Sequence, residues 1–341
     1  MTATQRLTLR TVGRHPLVTA GIIAAALLIF SEATSGGDLG IFGITVLSGL
    51  FEGMLLFLVS AGLSIVFGLM GVLNFAQGSY FMIGAYVCYA IHHAPGLIDL
   101  IPDGNLRFIV AAITAAIVGL LLGILFERIL LRPLYARPVF QIVLTFGVAI
   151  VIGEVVKAIY GTTPYSWTAA FSFREGAFSL FGQTFSTYRL VVIVMGLALI
   201  GAMLLLLHRT RLGIIIRAGV QDSQMVEALG INVRAVFTLV FALGCAIAAF
   251  GGAVAAPFLG VSTDLANNFL LAAIAVVALG GLGSFAGTAV ASVLVGLATA
   301  TVARFASQYL NQPVWADLTP MILLTLVLLI RPRGLFGKAA L

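Results

Sequence analysis

A few polar side chains lie within or beside long apolar runs, where they could meet a polar solute. Glu52 and Thr145 fall inside such runs, and the amides of Asn74 and Gln77 interrupt one. An ionisable group costs about 2.5–3.5 kcal/mol to insert at the centre of a bilayer, so such groups usually face a cavity or a partner. We predict a solute pathway lined by Glu52, Asn74, Gln77, Gly78 and Thr145. Glu52 lies near one end of its run, where snorkelling to water is an alternative.

The sequence lacks the residue patterns of common enzymes and metal sites. It has no G-x-x-x-x-G-K-[ST] phosphate loop, and the glycine-rich run at 280–287 (GGLGSFAG) carries no lysine. No Ser/His/Asp arrangement or pair of carboxylates is visible, and Cys88 and Cys245 both fall within apolar runs. We therefore predict no catalytic residue, no metal ligand and no cofactor in this chain. Any ATP with Mg²⁺ would be bound by a different chain.

The glycines of the run at 280–287 predict a helix break followed by close helix packing. Gly280, Gly281 and Gly283 would break a helix, and Gly283 and Gly287 would form a small-residue packing face. A second break is predicted at about 70–79, around the two amides. Paired broken helices in two halves of a transporter often mark the solute route, although the two stretches do not align as a repeat.

The composition indicates an all-α, polytopic membrane protein. Of the 341 residues, 61% are hydrophobic and only 9% are charged, whereas soluble domains have about 25% charged residues. Apolar runs of about 18 residues can cross a hydrocarbon core as helices, and the alternation of a membrane barrel is absent. We predict ten membrane segments, at about 17–30, 44–69, 80–94, 107–126, 140–160, 190–207, 235–258, 267–279, 285–305 and 319–330. The segment 127–138 is predicted to be a short basic loop and 161–188 an outer loop.

Ten segments place both termini on one side, and the basic residues agree with this. Thirteen of the 18 basic residues fall on that side, including the clusters in 6–14, 128–137, 209–234 and 331–338. Because basic residues concentrate on the cytoplasmic side of membrane proteins, we predict that both termini and 209–234 are cytoplasmic. A re-entrant pair remains an alternative near Asn74 and after Asn267.

The stretch 209–234 (RTRLGIIIRAGVQDSQMVEALGINVR), which we call the platform, lies between two apolar runs. It carries four arginines, and its residues 222–229 read as a short helix that Asp222 can cap and Gly230 can stop. A short helix on a cytoplasmic loop could dock a soluble partner. The alternative is a plain connecting loop with a surface helix.

Three motifs resemble those of one family. Residues 68–78 (GLMGVLNFAQG) and 82–86 (MIGAY) resemble the hallmark stretch of LivH-type permeases of bacterial branched-chain amino acid ABC importers, which often have His in place of Gln77. In the platform, Ala218, Asp222 and 228–231 (ALGI) match the coupling loop of the family. The ending 331–337 (RPRGLFG) is also typical. The resemblance covers about 42–337, so 17–34 is an extra N-terminal helix, as in the longer LivM-type partner.

The resemblance implies one permease domain over 1–341 in the bacterial inner membrane, with 209–234 as its coupling loop. It implies two cytoplasmic ABC ATPases, a second permease subunit that is LivM-type or identical, a periplasmic solute-binding protein, and no nucleic acid. The residues implied to couple to the ATPases are Arg217, Asp222, Ser223, Glu227, Ala228 and Gly230. Similar permeases serve urea, short amides and aromatic acids. The rival functions are an ion-coupled secondary transporter or channel acting alone, and a purely structural membrane subunit.

Overall fold

A computed structural model describes residues 16–135, 137–168, 171–180, 182–221, 223–312 and 314–337. The described chain is almost entirely helical. The helices are α1 Pro16–Ser35, α2 Leu39–Met70, α3 Gln77–His92, α4 Pro95–Leu100, α5 Gly104–Phe126, α6 Pro138–Tyr160, α7 Ser172–Glu175, α8 Thr187–Arg209, α9 Arg211–Gln221, α10 Ser223–Ala228, α11 Val233–Leu259, α12 Leu265–Gly280, α13 Phe285–Phe305 and α14 Val314–Ile330. Strands β1 Ala177–Leu180 and β2 Gln183–Ser186 form an antiparallel hairpin.

Each of the ten predicted membrane segments coincides with a helix. Within the described residues, seven helices are long and apolar enough to cross a membrane, and α12 and α14 are shorter apolar helices. The α3 helix is 16 residues long. The polytopic helical architecture is therefore supported, while the number of full crossings stays a prediction.

Three helices form the centre of the bundle. The central helices α2, α11 and α13 are mostly buried, whereas at most about a third of the residues of α1, α5, α6 and α8 are buried. Glycines let α11 approach its neighbours closely: a Cβ on Gly252 would overlap the carbonyl oxygen of Phe81, and one on Gly84 that of Ala249. Gly119 on α5 also allows a close approach, because a Cβ there would lie 2.5 Å from the Cβ of Ala249. Such small-residue contacts are typical of helix packing in membranes.

The helix ends gather at two ends of the bundle. One, which we call the basic end, contains 127–137, the platform, 280–284 and 331–337. There the ring of Tyr135 lies 6.0 Å from that of Phe237 at the start of α11. A Cβ on Gly68 near the end of α2 would lie 2.8 Å from the carbonyl oxygen of Gly283. In the predicted topology successive segments cross the membrane in opposite directions, and that topology places these same segment ends on one side. The contacts between them agree with it.

The opposite end, which we call the hairpin end, contains the β1–β2 hairpin and the connections around it. Tyr165 and Val261 exchange backbone hydrogen bonds of 2.8 and 2.9 Å. The buried indole of Trp167 packs against the rings of Tyr89 and His92. The described residues of the predicted outer loop therefore form a layer over the ends of α3 and α11.

One prediction about a connecting segment was wrong. The predicted basic loop 127–138 is helical as far as Leu134, as the π-helical turn Glu127–Leu131 and the 3₁₀ turn Arg132–Leu134. The fully buried carboxylate of Glu127 accepts a hydrogen bond from Tyr135, and so the extra turns are held against the bundle. Burial, together with this hydrogen bond, raises the pKa of the Tyr135 phenol well above its usual range. The described chain is mostly helical, as predicted, and the β1–β2 hairpin, whose strands are only four residues long, is an addition within the predicted outer loop.

Candidate coupling and pathway residues

The platform contains two helices, and the sequence predicted only one. Helix α9 turns back sharply after α8, because the backbone N–H of Gly213 donates to the Thr210 hydroxyl at 3.1 Å. A Cβ on Gly213 would overlap the carbonyl oxygen of Leu207, so only glycine allows this turn. Arg217, a predicted coupling residue, donates from Nη1 to the same Leu207 oxygen at 2.6 Å. Thr210 followed by Gly213 was the overlooked signal for this second helix.

Helix α10 confirms the predicted short helix and its stop. The N–H of Gly230 donates to the carbonyl of Glu227 at 2.9 Å, and the N–H of Ile231 to that of Val226 at 3.3 Å. This pair of bonds is the Schellman arrangement, which requires a left-handed residue, and Gly230 has φ +80°. Asn232 then caps α11 through a bond from the N–H of Ala235. The short helix is thus closed at its carboxyl end before the next helix begins.

One side of α10 faces the bundle and the other faces outward. Val226 is buried, whereas Glu227, Ala228 and Leu229 are exposed. Leu229 is 71% exposed, so it adds an apolar group to the outward side of this helix. Ser223 begins the helix, and Asp222, the predicted cap, lies outside the described residues. The arrangement can present a small mixed apolar and acidic surface to another protein.

The break between α2 and α3 is a buried polar junction. The Nδ2 group of Asn74 donates to Oε1 of Gln77 at 3.3 Å, and its Oδ1 accepts from the N–H of Ala76 at 3.1 Å. Nε2 of Gln77 donates to the carbonyl of Gly244 on α11 at 3.0 Å. A Cβ on Gly62 would overlap this amide. Three helices therefore meet around one amide pair, and the sequence placed Gln77 in the break whereas it begins α3.

Two further predicted pathway residues lie beside this junction. The hydroxyl of Thr145 lies 3.1 Å from the carbonyl oxygen of Ile142 and 3.4 Å from that of Leu73, and its single proton is shared between these two acceptors. Gly78, which the sequence also placed in the break, is in the first turn of α3, where a Cβ would overlap the carbonyl of Ala266. The Thr145 hydroxyl is thus bonded within the chain. The role of both residues in lining a pathway stays a prediction.

Glu52 lies apart from that junction. It is ten positions before Gly62 on α2, which corresponds to about 15 Å along a helix. Ser48, one turn away, accepts a hydrogen bond of 3.2 Å from Nη1 of Arg189 on α8. The structure therefore divides the predicted pathway residues into two groups, and Arg189 is a neighbour of Glu52 that the sequence did not single out.

The second predicted break is present and has an unexpected partner. Helix α12 ends at Gly280, and Gly281 and Gly283 have φ of +100° and +83°. The C-terminal motif folds back onto it: the N–H of Leu335 donates to Leu279 at 2.8 Å, and that of Phe336 to Gly280 at 3.0 Å. These bonds satisfy carbonyls that the end of a helix leaves unpaired.

The glycines of the second break also set how closely its neighbours approach. A Cβ on Gly280 would lie 2.6 Å from the carbonyl oxygen of Gly287, and one on Gly281 would overlap the backbone nitrogen of Gly337. Two of the three family-like motifs, 68–78 and 331–337, therefore meet the 280–283 break at the basic end. The spacing of the residues did not indicate that these two motifs share the break as a common partner.

Replacing Gln77 with leucine tests whether this amide holds the junction. We expect the free energy of unfolding to fall by about 1–3 kcal/mol, because the buried Nδ2 of Asn74 loses its acceptor and the Gly244 carbonyl loses a donor. Thermal unfolding in detergent measures this. Thr114→Val removes a hydroxyl whose one hydrogen bond within the described part of the chain is to Val110 in its own helix, and this change should be neutral. Unchanged stability with lost transport would assign Gln77 to the solute instead.

Comparison with known proteins places these features in one family. Residues 45–330 match the family described as "Branched-chain amino acid transport system / permease component". The high-affinity branched-chain amino acid transport system permease protein BraD of Pseudomonas aeruginosa is 31% identical over 309 residues, which are 86% of this chain and 95% of BraD. The corresponding LivH protein of Salmonella typhimurium is 28% identical over 286 residues, 82% of this chain and 91% of LivH.

More distant proteins complete the comparison. The probable LivH of Methanocaldococcus jannaschii is 27% identical over 291 residues, 83% of this chain and 89% of that protein. The solved structure of PsaBC from Streptococcus pneumoniae in complex with Fab overlaps with a TM-score of 0.41 at 15% identity, covering 85% of this chain and 92% of that one; that overlap is too low for any inference. The family match and the BraD likeness each span more than four fifths of the chain, and the chain therefore belongs to the family of branched-chain amino acid transport system permease components.

Proposed function

We propose that this chain is one of two permease subunits of a bacterial ABC importer, and that α10 receives the power stroke from a cytoplasmic ATPase. The observation that supports this is the exposed surface of α10. It is a short helix with a closed carboxyl end, and it sits on a platform anchored to the bundle through the buried Ile216 of α9. Movement of α10 would therefore reach the core through α9, which packs against α8 and α2.

The proposed partners follow from the family. Two ATPase subunits would bind ATP with Mg²⁺, one beneath each permease. The second permease would be a LivM-type chain or an identical copy, and a periplasmic binding protein would deliver the solute at the hairpin end. The proposed solutes are branched-chain amino acids, as the names of the relatives indicate for those proteins. The chain would be a single permease domain over 1–341, with α1 as an additional N-terminal membrane helix and the bacterial inner membrane as its location.

The proposed orientation places the basic end in the cytoplasm. Because Cys88 and Cys245 are both buried, single cysteines introduced at exposed sites can be labelled selectively in native membranes. Leu229→Cys should react with a membrane-impermeant maleimide only in inside-out vesicles. Leu100→Cys, exposed near the opposite end of the bundle, should react only in right-side-out vesicles. The reverse pattern would contradict the orientation.

Transport in proteoliposomes tests the proposed function against the ion-coupled alternative. We expect uptake of leucine, isoleucine and valine only when both permeases, the ATPases and the binding protein are all present. ATP must also be supplied on the side of the membrane that the platform faces. A nonhydrolysable ATP analogue should give no uptake. Uptake by this chain alone under a proton or sodium gradient would establish a secondary transporter and overturn the proposal.

A further inference from the structure

A partly buried pair of opposite charges lies towards the hairpin end, outside the junction of Asn74 and Gln77. Ser48 and Glu52 are one turn apart on α2 and therefore share a face. Arg189 reaches this face, where it donates to Ser48, and Glu52 lies within electrostatic range of Arg189 and of Asp317 on α14. A half-buried acid and base at membrane depth are costly unless a cavity or a partner compensates them.

The arginine is held in position by aromatic rings. Its guanidinium carbon lies 4.9 Å from the ring centroid of Phe258, 5.4 Å from that of Phe51 and 5.5 Å from that of Phe185. These rings come from α11, α2 and the β1–β2 hairpin, so several elements fix one side chain. Cation–π contacts of this kind orient a guanidinium without using its N–H donors.

The charged groups keep free hydrogen-bonding capacity. An arginine has five N–H donors, and within the described residues Arg189 makes one hydrogen bond, from Nη1. Glu52 makes no hydrogen bond there, and no ion pair within 4.0 Å joins it to Arg189. Neither side chain has a polar atom among the fully buried unpartnered ones. Glu52 therefore keeps unused acceptor capacity and Arg189 keeps unused donors, and both residues are only partly buried.

We propose that Glu52 and Arg189 bind the two charges of an α-amino acid: the Glu52 carboxylate accepts from the α-ammonium group, and the Arg189 guanidinium donates to the α-carboxylate. Asp317 adds a second negative charge on the ammonium side. This site rests on the proposed function. It would give the permease its own contacts with the α-ammonium and α-carboxylate groups, which all α-amino acids share. It lies towards the end at which the binding protein would release its solute.

Binding of three ligands distinguishes the contribution of the ammonium group from that of the carboxylate. The assembled transporter, without binding protein, is placed in phosphatidylglycerol nanodiscs, and the binding of L-leucine, 4-methylpentanoate and 3-methylbutylamine is measured by equilibrium dialysis. The last two compounds lack the ammonium group and the carboxylate of leucine, respectively. We expect leucine to bind wild type about tenfold or more tightly than either, since each lost charge-assisted bond costs that much.

Substitution of Glu52 or of Arg189 should each affect recognition of only one charge of the ligand. Glu52→Gln should remove the preference for leucine over 4-methylpentanoate, and Arg189→Gln the preference over 3-methylbutylamine. If Glu52 and Arg189 had a purely structural role, each substitution would instead lower the affinity for all three ligands by a similar factor. Glu154→Gln and Lys157→Gln, which break the exposed 2.8 Å ion pair on α6, are matched controls and should change nothing.

Failure of this inference is distinct from failure of the proposed function. Unmeasurable leucine binding to wild type, or unchanged preferences in both variants, would overturn the amino acid site even if ATP-driven uptake is present. A lipid headgroup could also offer an ammonium group and an anion. Loss of leucine binding to wild type in phosphatidylethanolamine nanodiscs would show that a headgroup occupies the site, and would likewise overturn it.

Discussion

Combining Glu227→Arg with Leu229→Asp should reduce ATP-driven uptake by more than about a hundredfold while the protein still inserts and folds. Both side chains lie on the exposed part of the platform, so their replacement leaves the core unchanged. The change at Glu227 reverses a charge, and the change at Leu229 places a new negative charge on the apolar part of the proposed docking surface. A few central contacts usually carry most of the energy of an interface, and so ATPase association should be lost. Copurification of the ATPases with the permease, together with uptake in proteoliposomes, measures both effects.

A matched control places the same chemical change at the other end of the bundle. Leu100 is 76% exposed on α4, and Leu100→Asp should leave ATPase copurification at the wild-type level. If the double variant retains its ATPases and transports normally, α10 is a connecting element and the coupling role is wrong.

Gly252→Ala should lower the free energy of unfolding by at least about 3 kcal/mol, the upper part of the range for overpacked cores. The added methyl group would overlap the carbonyl oxygen of Phe81, which is backbone and cannot swing aside as a side chain would. Helices α3 and α11 would have to separate. The buried thiols of Cys88 and Cys245 provide the measurement, because a thiol-reactive fluorophore reports their exposure during heating.

Gly147→Ala is the matched control for this substitution. Gly147 is also within a helix, but a Cβ there would meet nothing within 4 Å. The replacement should be neutral or stabilising by up to about 1 kcal/mol, because alanine favours helix more than glycine does. Equal unfolding temperatures for the two variants would show that α3 and α11 do not pack as closely as described.

The sequence predicted the elements well where hydrophobicity decides the outcome. All ten apolar segments are helices, and Phe285–Phe305 was predicted with its exact bounds, since a long apolar run in lipid must satisfy its backbone internally. The stop at Gly230 was also predictable, because a left-handed residue is needed there. Sequence reasoning was weaker where tertiary contacts decide. The extension of α5 to Leu134 depends on a bond between Glu127 and Tyr135, and no periodicity reveals such a bond.

The candidate site was predicted only in part, for the same reason. Asn74, Gln77 and Thr145 were singled out as polar residues in apolar surroundings, and the structure brings them together around one junction. Their bonds to Gly244 and Leu73 could not be foreseen, because both partners are backbone carbonyls. Arg189 was not among the predicted pathway residues. Its relation to Glu52 arises from the packing of α2 against α8, which the sequence does not encode locally.

Photocrosslinking from α10 tests the central claim most directly. A photoreactive amino acid at position 227 would be illuminated in membranes that contain the complete transporter, and the crosslinked partner identified by mass spectrometry. We predict a crosslink to the ATPase subunit, with a yield that changes between the ATP-bound and nucleotide-free states. A crosslink to the periplasmic binding protein, or none to an ATPase in either state, would contradict the claim that this helix couples ATP hydrolysis to transport.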